Sequence, residues 1–139
     1  MRFVDANVLV YAVVRPKGAA PKDIMDIKAR AKAIVKRVDG GEPVLTSVVH
    51  LSEVANVLEE HLKPKELNEY FNSLLYRDNI VVRAVDDELY RSANDVFLTS
   101  GIGLNDAVAS ILMKREGIEE IYSFDGHFDK LDWVRRLTM

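Results

Sequence analysis

Four carboxylates in this chain stand among hydrophobic neighbours, where an unpaired charge is costly. Asp5 closes the apolar run Phe3-Val4. Glu53 sits in the helical stretch around Val49, Val54 and Val57. Asp106 precedes Ala107-Val108-Ala109-Ser110-Ile111-Leu112-Met113, and Asp125 follows Ile121-Tyr122-Ser123-Phe124. Each has an ordinary explanation alone. Asp5 can cap the segment after it. Glu53 can be a solvated residue at the edge of the arc formed by Leu51, Val54, Val57, Leu58 and Leu62. Asp106 can be a first-turn acid favoured by the helix dipole, and Asp125-Gly126 can be a turn. Taken together they suggest something else. Gathered carboxylates repel one another, and that arrangement persists where a hard cation neutralises it. The chain has no cysteine, so the donor set is oxygen-rich and suits Mg²⁺ or Mn²⁺. Such ions keep several waters and take phosphate oxygens as further ligands, so the expected chemistry is phosphoryl chemistry.

Something must carry these acids to one place. Arg2-Phe3-Val4-Asp5 reads as a short buried strand leaving through its acid. Asn7 reads as the cap of a helix beginning at Val8. Two prolines and a glycine make Arg15–Pro21 a loop. Asp23–Val38 has helical spacing, with Ile24, Ile27, Ala31, Ile34, Val35 and Val38 on one side, and Asp39-Gly40-Gly41 ends it. Pro43–Thr46 is a strand candidate, and Ser47 is expected to cap a helix from Val48 to about His61. Pro64 introduces another helix, Lys65–Arg77. Asn79–Val85 reads as a strand, and Asp86-Asp87-Glu88 opens a helix towards Thr99. After the break Ser100-Gly101-Ile102-Gly103, Asn105 is expected to cap a helix to about Glu116, stopped by Gly117. Ile118–Phe124 holds the last strand. Phe128–Met139 reads as a short helix and a tail without assigned structure. Strands alternating with helices predict an α/β fold with a parallel sheet covered on both faces, as one domain over 1–139. Open parallel sheets bind ligands outside the carboxyl ends of their strands, where Asp5 and Asp125 are expected.

Composition narrows the reading. The chain has 139 residues, which is one domain's length. It is 48% hydrophobic and 29% charged, the profile of an ordered globule rather than a disordered chain. The absence of cysteine excludes thiolate metal sites, iron–sulfur clusters, disulfides and a cysteine nucleophile. A formal net charge of −3 argues against a broadly basic nucleic-acid surface and leaves room for a local basic rim. Met1–Val14 is too short to span a bilayer and is interrupted by Asp5, so a cytoplasmic location without a membrane is expected.

The segments that carry the acids resemble the motifs of PIN-domain nucleases. Phe3-Val4-Asp5-Ala6-Asn7-Val8-Leu9 is similar to the family's opening motif, and Ser52-Glu53-Val54-Ala55-Asn56-Val57-Leu58 to its helical glutamate. Leu104-Asn105-Asp106-Ala107-Val108-Ala109 is similar to the third motif, and Ile121-Tyr122-Ser123-Phe124-Asp125 to the fourth, with Gly126-His127-Phe128-Asp129 following. The resemblance runs in order along the whole chain. It implies a three-layer, Rossmann-like α/β/α sandwich. It further implies a Mg²⁺- or Mn²⁺-dependent endoribonuclease, most often the toxin of a VapBC-type toxin–antitoxin pair, with RNA as substrate, a VapB-type antitoxin as partner and a homodimer as the assembly. Residue by residue, it implies that Asp5, Glu53, Asp106 and Asp125 are the catalytic metal-site acids. Asn7 and Ser123 would orient them, and Asp129 would be an outer-shell acid. The stretch Arg15–Glu42 is longer than in compact members, which bears on the partner-binding helices more than on the site.

An acidic pocket must still admit RNA. Arg15, Lys17, Lys63, Lys65, Arg77 and Arg91 are candidate rim cations, and Tyr11, Tyr76 and Tyr122 candidate stacking platforms, with core packing as the alternative. His50, His61 and His127 lack a paired metal spacing and are left outside the site, His127 being the one adjacent to an acid. Two other readings compete. A magnesium phosphatase of haloacid-dehalogenase type wants a second aspartate where Asn7 stands. A catalytically silent PIN-like binding or scaffold module would not need all four acids.

Overall fold

The computed structural model describes residues 1–15 and 21–139. Five parallel strands form one sheet in the order β3-β2-β1-β4-β5, with β1 Arg2–Val4, β2 Val44–Ser47, β3 Ile80–Arg83, β4 Glu120–Tyr122 and β5 Arg135–Leu137. Among the described residues six α-helices accompany them: α1 Ala6–Val13, α2 Lys22–Asp39, α3 Val48–Leu58, α4 Pro64–Leu75, α5 Asp87–Ser100 and α6 Leu104–Glu116. No single helix among the described residues is long and apolar enough to cross a membrane.

Period-two alternation in the central strands divides the core between the two faces of the sheet. Phe3, Leu45 and Ile121 pack with Leu89, Ala93, Val108, Leu112 and Phe128 on the α5/α6 side. Val4, Val44 and Tyr122 pack with Val8, Ile34, Leu51, Val54 and Leu58 on the side of α1 to α4. Gly101 and Gly117 end α5 and α6 at φ 74° and 68°, the left-handed region where a Cβ would be strained.

Several local expectations differ from the structure. Asp5, not Asn7, caps α1, because Asp5 keeps the extended backbone and accepts from the Ala6 N–H. Gly103, not Asn105, is the cap position of α6; Asn105 is already inside the helix. α3 stops at Leu58, short of His61. The C-terminal stretch holds a 3-10 turn, Gly126–Lys130, followed by the edge strand β5. Ser47 does cap α3, accepting from the His50 N–H. Most of the loop expected at Arg15–Pro21, with Lys17, lies outside the described residues.

Candidate active site

The chain order of the sheet reverses between β1 and β4, and the acids gather outside the carboxyl ends of those two strands. Asp5 is the first residue beyond β1 and is buried. One of its oxygens accepts from the Ala6 N–H at 2.8 Å and the other from the Ser123 hydroxyl at 2.6 Å. Burial pushes its carboxyl up to about 6, and the Glu53 and Asp125 charges add to this, while the Ser123 and Ala6 bonds act against it.

Asp106 sits at the third position of α6. Its Oδ2 accepts from the Gly103 N–H at 3.3 Å, so the first turn of the helix and the acid hold each other. Burial together with the charges of Asp5 and Asp125 raises this carboxyl to about 7. Asp125 ends the β4 exit and caps the 3-10 turn. Its N–H donates to Ser123 Oγ at 3.0 Å, and its Oδ1 accepts from the His127 N–H at 2.9 Å. Glu53 is exposed on α3, and the Asn105 amide donates to its Oε2 at 3.3 Å. Glu53, Asp106 and Asp125 line one open cleft of about 370 Å³, and Asp5 lies close enough to sense both Glu53 and Asp125. Three of the four acids thus line one cleft, and Asp5 is linked to Asp125 through the Ser123 hydroxyl.

The supporting residues divide. Ser123 bonds both Asp5 and Asp125. Asn7 touches neither acid; its Oδ1 accepts from the Phe124 N–H at 3.2 Å and so fixes the backbone just before Asp125. Asp129 is engaged by the Arg136 guanidinium at 2.9 Å through both carboxylate oxygens. His127, which the sequence reading left outside, lines the cleft with its Nδ1 3.1 Å from Asp125 Oδ1. Single donor atoms of Asp106, Asp125 and His127 lie within 4.8 Å of one another, a spacing one cation can bridge. The local signal was Asp-x-His: a cap two residues before an imidazole brings the ring back over the acid. His50 is instead buried in the first turn of α3, its Nδ1 2.6 Å from Ser47 Oγ, and burial lowers it to about 4.

The rim is uneven. Arg77 pairs with Asp39 and Arg91 with Asp87, while Arg15, Lys63 and Lys65 are exposed. Tyr76 is open to solvent, whereas Tyr11 packs edge-on to Phe124. Tyr122 is no stacking platform. It is fully buried, and its hydroxyl is taken up by Arg2, Arg37 and Glu42.

A family model described as PIN domain matches residues 2–134. No curated protein sequence matches the chain. Several solved structures share the fold. VapC20 of Mycobacterium tuberculosis, a sarcin-ricin loop cleaving toxin, superposes with a TM-score of 0.73 at 20% identity, over 96% of this chain and 97% of that one. VapBC2 of Rickettsia felis, bound to a DNA fragment from its promoter, gives 0.65 at 11% identity over 98% and 96%. FitAcB of Neisseria gonorrhoeae gives 0.60 at 18% identity over 99% and 96%.

Proposed function

Since the chain belongs to the PIN-domain family, we propose that it is a Mg²⁺- or Mn²⁺-dependent endoribonuclease and the toxin of a VapBC-type pair. The observation that carries the reading is that Glu53, Asp106 and Asp125, from three separate elements, line one cleft, with the buried Asp5 tied to Asp125 through Ser123, and that the Asp5 and Asp106 carboxyls are raised. Among the described residues no lysine or arginine lines the cleft, and a divalent ion is the natural counter-charge to its acids. The donor set fits one: hard carboxylate oxygens with a single imidazole beside them.

Asp5, Asp106 and Asp125 would hold the ion, with Glu53 completing the cage. The bound ion supplies charge stabilisation at phosphate oxygens and a more acidic water. The protein's own groups do the rest. Ser123 holds Asp5 and Asp125 in fixed relation by bonding both. Glu53, the most exposed of the acids, is placed to accept the proton lost by the attacking water. In such a hydrolysis the water's oxygen would form the new P–O bond, and the bridging oxygen would leave with its electron pair and take a proton from bulk water at the open cleft. The openness of the cleft suits an extended polynucleotide. A VapB-type antitoxin is the proposed protein partner and a homodimer the proposed assembly, in a cytoplasmic setting; the VapBC2 neighbour supports the pairing.

The test is a fluorogenic RNA cleavage assay with Mg²⁺ or Mn²⁺, in the presence and absence of EDTA. Cleavage abolished by EDTA and by Asp106→Asn is expected. A folded wild-type chain that cleaves no RNA under any divalent ion contradicts the nuclease reading.

A further inference from the structure

The segment that carries Asp125 is bracketed by contacts from a residue outside the four motifs. Arg136, in the edge strand β5, uses three N–H groups at once. Nε and Nη2 donate to the two oxygens of Asp129, each at 2.9 Å, and Nη1 donates to the Ser123 carbonyl at 3.3 Å. These acceptors bracket the segment that carries Asp125 and His127, Ser123 before it and Asp129 after it. Ser123 is thereby fully engaged. Its N–H donates to the Leu137 carbonyl at 3.1 Å, its carbonyl accepts from Arg136, and its hydroxyl donates to Asp5 and accepts from the Asp125 N–H. Arg136 is only 22% exposed at its side chain, so these bonds are partly shielded from water.

We propose that Arg136 is a positioning residue for metal binding: with Asp129 it forms a clamp that fixes the Ser123–Asp129 turn and so sets Asp125 against Asp5 and Asp106. The buried Phe128 ring anchors the turn's depth, and Lys130 Nζ ties its far end to the Gly101 carbonyl at 2.9 Å. The Asn7 bond to the Phe124 N–H holds the backbone before Asp125. A planar guanidinium bonded to two carboxylate oxygens holds the segment after it, because the fork is rigid. A lysine keeps the charge and loses that geometry. Asp129 thus acts on the site through Arg136 rather than as a free outer-shell acid.

The inference rests on the metal reading above, and its test separates the two. Mn²⁺ binding to the full chain is measured by calorimetry well below the melting temperature, alongside amide exchange of the Asp125–His127 segment in EDTA. Partners that orient ligands typically contribute about 10–100-fold in affinity. Arg136→Gln and Asp129→Ala are each expected to weaken Mn²⁺ binding about tenfold or more and to speed exchange of the segment. The double variant is expected to be no worse than the weaker single, and Arg136→Lys is expected not to restore affinity. Asp129 is exposed, so its variant keeps the test open should Arg136→Gln fail to fold. Affinity within twofold of wild type in folded variants, or full restoration by lysine, overturns the clamp. A wild-type chain that binds no Mn²⁺ sinks the metal reading instead. The exchange measurement then decides the clamp alone, and unchanged exchange in Arg136→Gln overturns it.

Discussion

Replacing Asp5 by asparagine is expected to stabilise the metal-free protein while removing its response to metal. Asparagine keeps the shape, and its carbonyl can still accept from the Ala6 N–H. It removes a charge that the fold buries at a cost. The Asp5 carboxyl stands at about 6 rather than the ordinary 3.8. Its folded pKa is raised, so between these values the folded state binds more protons than the unfolded state, and stability falls as pH rises. Above about pH 7 the full penalty applies, about 3 kcal/mol, and at pH 4 it shrinks below about 1 kcal/mol. Asp106 adds in the same direction, because the Asp5 charge is one cause of its own elevation. Asp5→Asn should therefore melt on the order of 10 °C above wild type at pH 8 in EDTA, and close to wild type at pH 4. Magnesium at tenfold its dissociation constant should add about 1.4 kcal/mol to the wild type and nothing to the variant. Thermal unfolding followed by circular dichroism in these buffers reads all three effects. A variant that melts below wild type at pH 8 in EDTA, or that gains as much from magnesium, refutes the claim that Asp5 is a repelled, metal-seeking acid.

Other perturbations follow from the same contacts. Ser123→Ala removes a charge-assisted bond of about 1.5–3 kcal/mol, and the Asp5 carboxyl should rise further. Mn²⁺ titrations against pH should then need a more alkaline solution for equal affinity, and an unshifted profile would count against that bond. His127→Gln should weaken Co²⁺ binding more than Mg²⁺ binding, because imidazole favours the later transition ions; equal losses would show that the ring is no donor. Phe128→Ala empties a fully buried site under the turn and should cost about 3–5 kcal/mol in urea unfolding. A loss under about 1 kcal/mol would mean that the turn is not anchored in the core.

Asp5 was legible because an acid at the end of an apolar strand has few inexpensive fates, and Ser47 because a hydroxyl before a helical run satisfies a free N–H. Asn7 and Asn105 misled for a local reason. Both are good capping residues by type, but the cap belongs to whichever residue keeps extended backbone, here Asp5 and Gly103. Strand β5 was hidden because Arg135-Arg136-Leu137 is short and lacks apolar alternation; it pairs only through the register set by β4. The burial of Tyr122 depended on partners for its hydroxyl at Arg2, Arg37 and Glu42, at least 80 positions away, which no local pattern reveals. The Arg136 clamp was invisible for the same reason as β5. Glu53, by contrast, stands at the helix edge where its spacing put it, and only the fold shows which cleft that edge faces.

The most direct measurement of the central claim is anomalous diffraction from crystals grown with Mn²⁺. A peak is expected in the cleft with carboxylate oxygens of Asp5, Asp106 and Asp125 around it, at about 2–2.5 Å directly or one water further out, and no such peak in Asp5→Asn crystals. A well-ordered cleft without manganese, or manganese bound only elsewhere on the surface, would contradict it.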